Sequence, residues 1–170
     1  ILNLLKMGDI DMVFLSEEFE PMINSIREDD NKVEEIHSFS GTNFREILRT
    51  KPVDLPKINP NALAEILFTS GTTGVSKGVC LSMANICGVI NNISGVVKVY
   101  PEDQLLSVLP IHHTYECTLG FLLILYSGAC IAFCRGIRYI TQDMAEIKPT
   151  VFITVPLMIE KFYARIMKKI

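Results

Sequence analysis

LAEILFTSGTTGVSKGVCLS, residues 63–82, is the most informative segment of the chain. Two short apolar runs flank a loop that is rich in glycine and hydroxyl residues and carries one lysine. Glycines allow the backbone to approach an anion closely, and successive backbone N–H groups in such a loop form an anion-binding concavity. Hydroxyl groups and the lysine ammonium add donors and positive charge. The segment therefore predicts a phosphate-binding loop, whose candidate ligands are Thr69, Ser70, Gly71, Thr72, Thr73, Gly74 and Lys77.

A second interpretation of this loop is a surface turn between two strands, because turns are commonly rich in glycine and small polar residues. The loop does not fit the Walker A pattern, in which Gly-Lys is followed by Ser or Thr and opens a helix. Here Ser76 precedes Lys77, Gly78 follows it, and the next residues read as a strand. The density of hydroxyl donors around one cation favours anion binding over a simple turn.

The part of this segment that reads FTSGTTGVSKGV, residues 68–79, resembles the phosphate-binding loop of the AMP-forming acyl- and aryl-CoA ligases, the adenylate-forming superfamily. Ser76 stands where that family usually has proline, so the fixed φ angle of proline is missing here. The resemblance implies an α/β fold with a mainly parallel β-sheet and flanking helices, as part of the large N-terminal domain of an adenylate-forming enzyme. It also implies that the loop binds the phosphates of ATP.

A second segment, LPIHHTYE at residues 109–116, follows a predicted strand. Open α/β sheets bind their ligands at the carboxyl ends of strands. From spacing alone, the two histidines are best interpreted as solvated side chains in a loop that leads into a helix. A metal site is disfavoured, because adjacent side chains point in different directions and no third ligand is evident.

The same segment resembles the second core motif of the adenylate-forming family, in which the long-chain fatty acid branch often has glutamate. By this resemblance His113 falls on the family histidine near the phosphates and the acyl site, which implies that it orients the acyl carboxylate or the phosphates. Tyr115 falls on the following aromatic, and His112 on a variable position. A third segment, IKPTVFITVPLMIEKFYARI at residues 147–166, also resembles the long-chain branch, with Leu157 in place of its arginine.

The composition is that of a globular protein. Hydrophobic residues make up 49% of the 170, and a net charge of −3 gives no reason to expect a nucleic acid partner. The five cysteines are odd in number and form no Cys-x-x-Cys pair, so neither a disulfide framework nor a zinc site is predicted. We expect buried, reduced thiols in a cytosolic protein.

Apolar periodicity and turn residues divide the chain into alternating strands and helices, which favours a mainly parallel sheet. Besides the two strands that flank the loop, strands are predicted at residues 11–16, 33–39, 105–109, 129–133 and 150–154. Helices are predicted at residues 1–8, 17–29 and 44–48, from the N-cap Ser82 to Val99, at 117–126, from a cap at Thr141 to before Pro149, and at 156–170. The uncharged run at 117–134 nears transmembrane length, but Tyr126-Ser127-Gly128 breaks it, which favours a helix followed by a strand.

We expect one partial domain over residues 1–170, with a weaker βαβ-like portion at 1–61 and the core motifs at 62–170. Residues 50–61 hold three prolines and read as an irregular loop. Because the chain has no initiator methionine and opens within a helical pattern, we interpret it as part of a longer enzyme whose C-terminal domain is absent. We expect these 170 residues to be inactive alone and to self-associate through uncovered apolar surface.

The resemblance implies ATP-dependent activation of a long-chain fatty acid, first to an acyl-adenylate and then to acyl-CoA. The implied substrates are the fatty acid, ATP with Mg²⁺, and CoA as co-substrate, with no metal ligands in this chain. Two alternatives stay open: a non-catalytic phosphate-binding or scaffold module, and an adenylating enzyme for aryl or amino acids. A cytoplasmic location is expected, and peripheral membrane association of the whole enzyme is left open.

Overall fold

The structure of the chain is a computed structural model that describes residues 2–29, 33–70 and 76–168. The chain divides into two compact units, Ile1–Cys80 and Leu81–Ile170. Each unit has buried apolar side chains of its own. The domain bounds that the sequence suggests stay a prediction.

The first unit contains two pairs of strands and three helices among its described residues. In chain order its elements are α1 (Leu2–Gly8), β1 (Met12–Leu15), a 3₁₀ turn (Glu17–Phe19), α2 (Glu20–Asp29), β2 (Glu35–Ser38), α3 (Thr42–Ile47), β3 (Leu63–Ser70) and β4 (Ser76–Ser82), of which the last crosses into the second unit. Strands β1 and β2 pair in parallel, from Met12 opposite Glu35 to Leu15 opposite Ser38. Strand β3 pairs with β4.

The parallel pair β1–β2 confirms the strand, helix and strand that the sequence predicts between residues 11 and 39. Parallel neighbours need a crossover connection, and here α2 supplies it. Leu15, Ile23 and Val33 from this portion are buried, and Leu67 of β3 is buried as well. The core of the first unit is therefore made by the apolar residues on which the strand and helix predictions were based.

The second unit is built around β5. Its elements are α4 (Met83–Val96), β5 (Gln104–Ser107), a π-helical segment (Glu116–Leu122) that continues into α5 (Leu123–Tyr126), β6 (Cys130–Phe133), a 3₁₀ turn (Ile137–Tyr139), α6 (Ile140–Ile147) and α7 (Pro156–Met167). Strand β5 pairs in parallel with β6, and Leu105 of β5 also forms a parallel bridge to Val151. Leu105, Leu106 and Ile124 are almost fully buried, so β5 lies in the core.

The start of α4 is set by a capping box. The Ser82 hydroxyl accepts a hydrogen bond from the backbone N–H of Asn85 at 3.2 Å, and the Asn85 side chain accepts one from the Ser82 backbone N–H at 3.0 Å. This confirms Ser82 as the N-cap. The predicted end of the helix at Val99 is wrong, because α4 ends at Val96, where glycine and two valines of low helix propensity follow one another.

Two local predictions in the second unit are wrong. Thr141 does not cap α6, because the chain enters that helix through a 3₁₀ turn and Thr141 lies within its first turn. The strand predicted at 150–154 is reduced to the single bridge at Val151. Backbone hydrogen bonds from the N–H groups of Thr150 and Val151 to the Gln104 carbonyl, at 2.9 and 3.1 Å, hold this segment. The Thr150 hydroxyl adds to them: it accepts from the Gln104 N–H at 3.0 Å and donates to Asp103 at 2.7 Å.

The prediction of buried thiols is also wrong. Cys80, Cys87 and Cys130 are exposed, and Cys117 and Cys134 are half-buried. Cys130 is the first residue of the four-residue strand β6, and Cys134 directly follows its last residue. The apolar residues around them therefore do not fully bury their side chains. The helix-then-strand prediction for 117–134 is confirmed, and within the described ranges every helix is too short or too polar to cross a membrane.

An ion-pair cluster joins the end of β6 to α6 and predicts acid-sensitive stability. Asp143 is only 3% exposed and accepts hydrogen bonds from the backbone N–H of Arg135 at 2.9 Å and from its Nε at 2.6 Å. These contacts lower the pKa of Asp143 below its ordinary value. A lowered folded-state pKa means that the stabilisation is present above the unfolded pKa of about 3.9 and is lost as the pH falls through the folded pKa.

We therefore expect Asp143→Asn to lower the melting temperature of the whole protein at pH 7 and to have a smaller effect near pH 3. Thermal unfolding at both pH values measures this difference. Glu146→Gln, which removes a more exposed partner of the same arginine, is the control with a smaller effect at pH 7. An equal loss for Asp143→Asn at both pH values would contradict the assignment.

Candidate functional site

The predicted phosphate loop lies between two paired strands. Strand β3 ends at Ser70 and β4 begins at Ser76, so the two flanking strands that the sequence predicts are confirmed. Gly71, Thr72, Thr73 and Gly74 lie outside the described residues. Thr69 and Lys77, on the two sides of the loop, are both exposed. They are therefore accessible to a ligand in this unit.

Gly78, next to Lys77, is a residue whose role the sequence analysis did not assign. A Cβ atom at this position would lie 3.1 Å from Ile66 Cγ2 and 3.3 Å from Phe68 Cε1, both on β3. Contacts this short require the neighbouring side chains to move. The glycine therefore lets β4 lie close against the side chains of β3 directly beside the lysine.

The histidine segment follows the carboxyl end of β5, the position at which open α/β sheets bind ligands. Its backbone is ordered by two hydrogen bonds: the His113 N–H donates to the Pro110 carbonyl at 3.0 Å, and the Cys117 N–H donates to the His113 carbonyl at 2.9 Å. The ring centroids of His112 and His113 lie 4.8 Å apart, and both side chains are exposed. The structure thus presents both imidazoles to solvent at this edge.

Glu116, three residues after His113, is buried. Only 1% of its surface is exposed, and its Oε1 accepts a hydrogen bond from the Ser107 hydroxyl at 2.5 Å. Burial raises the pKa of the Glu116 carboxyl, while the bond from Ser107 acts in the opposite direction. In the sequence, Glu116 stands out only as part of the family resemblance. The further signal is that this glutamate opens a run of uncharged residues, 117–134.

An apolar cavity of about 370 Å³ lies between α4 and the π-helical segment. Its walls carry no charged side chain; they are formed by Leu81, Asn85, Ile86, Val89, Ile93, Thr114, Tyr115, Thr118 and Leu119. Tyr115, which the resemblance singles out, is thus in the cavity wall, two residues from His113. A smaller pocket of about 210 Å³ adjoins the ends of β5 and β6.

In the second unit the structure therefore places Tyr115 in the wall of the apolar cavity, with His113 two residues earlier in the same exposed segment. Thr69 and Lys77 belong to the first unit. Among the residues that the structure describes, no three His, Cys, Asp or Glu side chains lie close enough together to hold a metal ion.

The sequence matches known proteins over most of its length. The profile of a family described as "AMP-binding enzyme" matches residues 4–169. Long chain acyl-CoA synthetase 3 of Arabidopsis thaliana is 33% identical over 138 residues, which is 78% of this chain and 21% of that protein. Long chain acyl-CoA synthetase 4 of the same plant is 34% identical over 133 residues, 75% of this chain and 20% of that protein. The chain thus spans about a fifth of the length of these relatives.

Solved structures share the fold. ATP-bound MatB from Rhodopseudomonas palustris superposes with a TM-score of 0.81 at 23% identity, over 96% of this chain and 32% of that one. A putative long-chain-fatty-acid CoA ligase from the same species gives a TM-score of 0.79 at 16% identity, over 91% of this chain and 40% of that one. Together with the parallel strand pairs, these similarities confirm the predicted α/β fold.

Proposed function

The chain belongs to the AMP-binding enzyme family, and from this membership we propose that it is part of a long-chain-fatty-acid–CoA ligase. In the first step a fatty acid carboxylate attacks the α-phosphate of ATP, which forms an acyl-adenylate and releases pyrophosphate. In the second step the thiol of CoA attacks the acyl carbonyl, loses its proton and displaces AMP. The identity to two long chain acyl-CoA synthetases supports this choice of substrates.

The observation that carries the proposal is the apolar cavity beside the histidine segment. Its volume of about 370 Å³ falls within the range of small-molecule sites, about 300–1,000 Å³. Each methylene of an acyl chain that leaves water for such a site contributes about 0.8 kcal/mol. The absence of charge in its walls disfavours an amino acid substrate, because an ammonium group there has no carboxylate partner.

For the phosphates of ATP we propose the loop between β3 and β4, with Thr69, Ser70, Gly71, Thr72, Thr73, Gly74 and Lys77 as ligands. Lys77 is exposed beside this loop, so its ammonium is available to a phosphate oxygen. During adenylation, negative charge accumulates on the departing pyrophosphate, and positioned donors stabilise that charge. Mg²⁺ enters as part of the substrate, since this ion is usually held largely through nucleotide phosphates.

For His113 we propose a role in orienting the acyl carboxylate or the phosphates. Its exposed imidazole lies at the carboxyl end of β5, and Tyr115 of the same segment lines the apolar cavity. An acyl chain in that cavity contacts Tyr115, two residues after the histidine, and on this proposal its carboxylate end faces His113. Holding two reactants in position is one of the largest contributions that a protein makes to such a reaction.

Small molecules are the proposed partners throughout. Peripheral association of the whole enzyme with a membrane surface is a further proposal, in keeping with a long-chain acid that partitions into lipid. A cytoplasmic location is proposed as well, although two relatives are named peroxisomal.

The proposal is tested by ATP–pyrophosphate exchange with the whole protein and a panel of carboxylic acids. We expect exchange to depend on palmitate and to be weak with benzoate or with amino acids. Exchange that depends on benzoate or an amino acid would replace the fatty acid proposal by one of the other adenylating activities. No exchange with any acid would favour a non-catalytic phosphate-binding module.

The cavity gives a prediction about chain length. Leu119 lines the cavity, so Leu119→Trp places a larger side chain there and leaves less volume for the acyl chain. We expect it to shift the preference in kcat/KM from palmitate towards decanoate. Each methylene that no longer fits removes about 0.8 kcal/mol, roughly a fourfold change in kcat/KM. Leu157→Trp, on the exposed surface of α7, is the control. An unchanged chain-length profile for Leu119→Trp would show that the acyl chain lies elsewhere.

A further inference from the structure

The two oxygens of the buried Glu116 carboxyl differ in their surroundings. Oε1 accepts the hydrogen bond from Ser107, whereas Oε2 is buried with no hydrogen-bond partner among the residues that the structure describes. Burying an ionised carboxylate in this setting costs free energy, because the negative charge on Oε2 has no hydrogen-bond donor beside it in the described part of the chain. The neutral carboxylic acid is therefore the form that suits the site.

Gly120 makes room for this carboxyl. A Cβ atom at position 120 would lie 2.5 Å from Glu116 Cδ and 2.6 Å from each carboxyl oxygen, which is closer than real Cβ contacts allow. Gly120 itself is buried, and both residues belong to the π-helical segment. π-Helical turns are rare and occur frequently at functional sites. The carboxyl of Glu116 is thus packed between the hydroxyl of Ser107 and the backbone of Gly120.

The position of these three residues relates them to the histidine segment. Ser107 is the last residue of β5, and Glu116 is the first residue of the π-helical segment. The residues between them include His113, with its exposed imidazole, and Tyr115, which lines the apolar cavity. The hydrogen bond from Ser107 to Glu116 therefore closes this loop at its base and fixes both of its ends to the buried core.

We propose that the Ser107–Glu116–Gly120 contact is a positioning device that holds His113 and Tyr115 in the geometry required for adenylation of the fatty acid. The inference rests on the proposed function. Glu116 and Ser107 act through the loop: both are buried, and neither is proposed to touch substrate. The contact works with a neutral carboxyl, so a glutamine, whose amide oxygen also accepts from Ser107, preserves it.

The first test uses the whole enzyme and compares Glu116→Ala with Glu116→Gln. We expect Glu116→Ala to lower kcat for palmitate-dependent ATP–pyrophosphate exchange about tenfold, since misplacing reacting groups by about 1 Å costs up to about a hundredfold. The KM for ATP should stay the same, because the phosphate loop is untouched. Glu116→Gln should keep kcat within about threefold of the parent, well below the loss from misplacement. The exposed Glu160→Ala on α7 is the control.

A second test uses the glycine. Gly120→Ala should lower kcat by a similar factor, because its Cβ displaces the carboxyl. In the Glu116→Ala background the same substitution should cost nothing further, since the group that it meets is gone. Gly88→Ala on α4 is a matched control, because a Cβ there meets no atom within 4 Å. Additive losses from Gly120→Ala and Glu116→Ala would overturn the proposed contact.

The closing experiment separates this inference from the proposed function. Amide hydrogen exchange of residues 108–117 reports the order of the loop without requiring activity. We expect Glu116→Ala and Ser107→Ala to speed exchange there and Glu116→Gln to leave it unchanged. A parent enzyme without palmitate-dependent activity overturns the proposed function alone. The inference is overturned if the parent is active and the Glu116→Ala and Ser107→Ala variants are folded and keep both the kcat of the parent and its rates of amide hydrogen exchange. Should Glu116→Ala fail to fold, Ser107→Ala alone decides between the same two results.

Discussion

Lys77→Ala in the whole enzyme is expected to slow palmitate-dependent ATP–pyrophosphate exchange by about one to two orders of magnitude. Lys77 is the only lysine or arginine between Thr69 and Gly78, and its side chain is exposed beside the loop. A hydrogen bond to a charged group contributes about 1.5–3 kcal/mol, and each 1.4 kcal/mol corresponds to about a factor of ten in rate. The loss should fall on the adenylation step, where the pyrophosphate departs.

Two controls accompany this prediction: a reaction step that does not involve pyrophosphate, and a lysine variant outside the loop. Thioester formation from preformed palmitoyl-adenylate and CoA should be almost unaffected by Lys77→Ala, because no pyrophosphate leaves in that step. Lys57→Ala, in the exposed loop before β3, should leave both steps unchanged. If Lys77→Ala leaves the exchange rate intact, the lysine does not act on the phosphates, and the turn interpretation of the loop becomes the better one.

His113→Ala is expected to reduce kcat for the same exchange by up to about a hundredfold, the loss associated with a misplaced reactant. We expect this loss because the His113 imidazole is exposed in the segment that follows the carboxyl end of β5. Tyr115 of the same segment lines the apolar cavity. Steady-state exchange with palmitate at saturating ATP measures the effect.

The neighbouring histidine supplies a matched control. His112 is exposed as well, and its ring centroid lies 4.8 Å from that of His113. His112→Ala should change kcat by less than about threefold, since it is assigned no contact with the reactants and so positions neither of them. Equal losses in the two variants would mean that the pair acts through general structure or charge rather than through orientation by His113.

The features that sequence reasoning predicted correctly depend on residues close together in the chain. The capping box at the start of α4 needs only Ser82 and Asn85, three residues apart. The strands β3 and β4 on either side of the loop are visible as apolar runs bounded by glycine and hydroxyl residues. The crossover of β1, α2 and β2 follows from strand and helix periodicity.

The features that sequence reasoning missed depend on contacts that spacing does not reveal. The burial of Glu116 depends on Ser107, nine residues earlier, and on the space that Gly120 leaves. The apolar cavity requires α4 and the π-helical segment to face each other, which no periodicity shows. The Thr150 hydroxyl donates a hydrogen bond to Asp103 from 47 residues away, a contact that the apolar pattern of its neighbours does not show.

The central claim is that this chain is part of an enzyme that activates long-chain fatty acids through an adenylate. The most direct test incubates the whole protein with palmitate and ATP labelled at the α-phosphate, first without and then with CoA. Without CoA, the account predicts labelled palmitoyl-adenylate together with unlabelled pyrophosphate. Once CoA is added, it predicts labelled AMP together with palmitoyl-CoA. Labelled ADP as the product, or consumption of ATP that does not depend on palmitate, would contradict it.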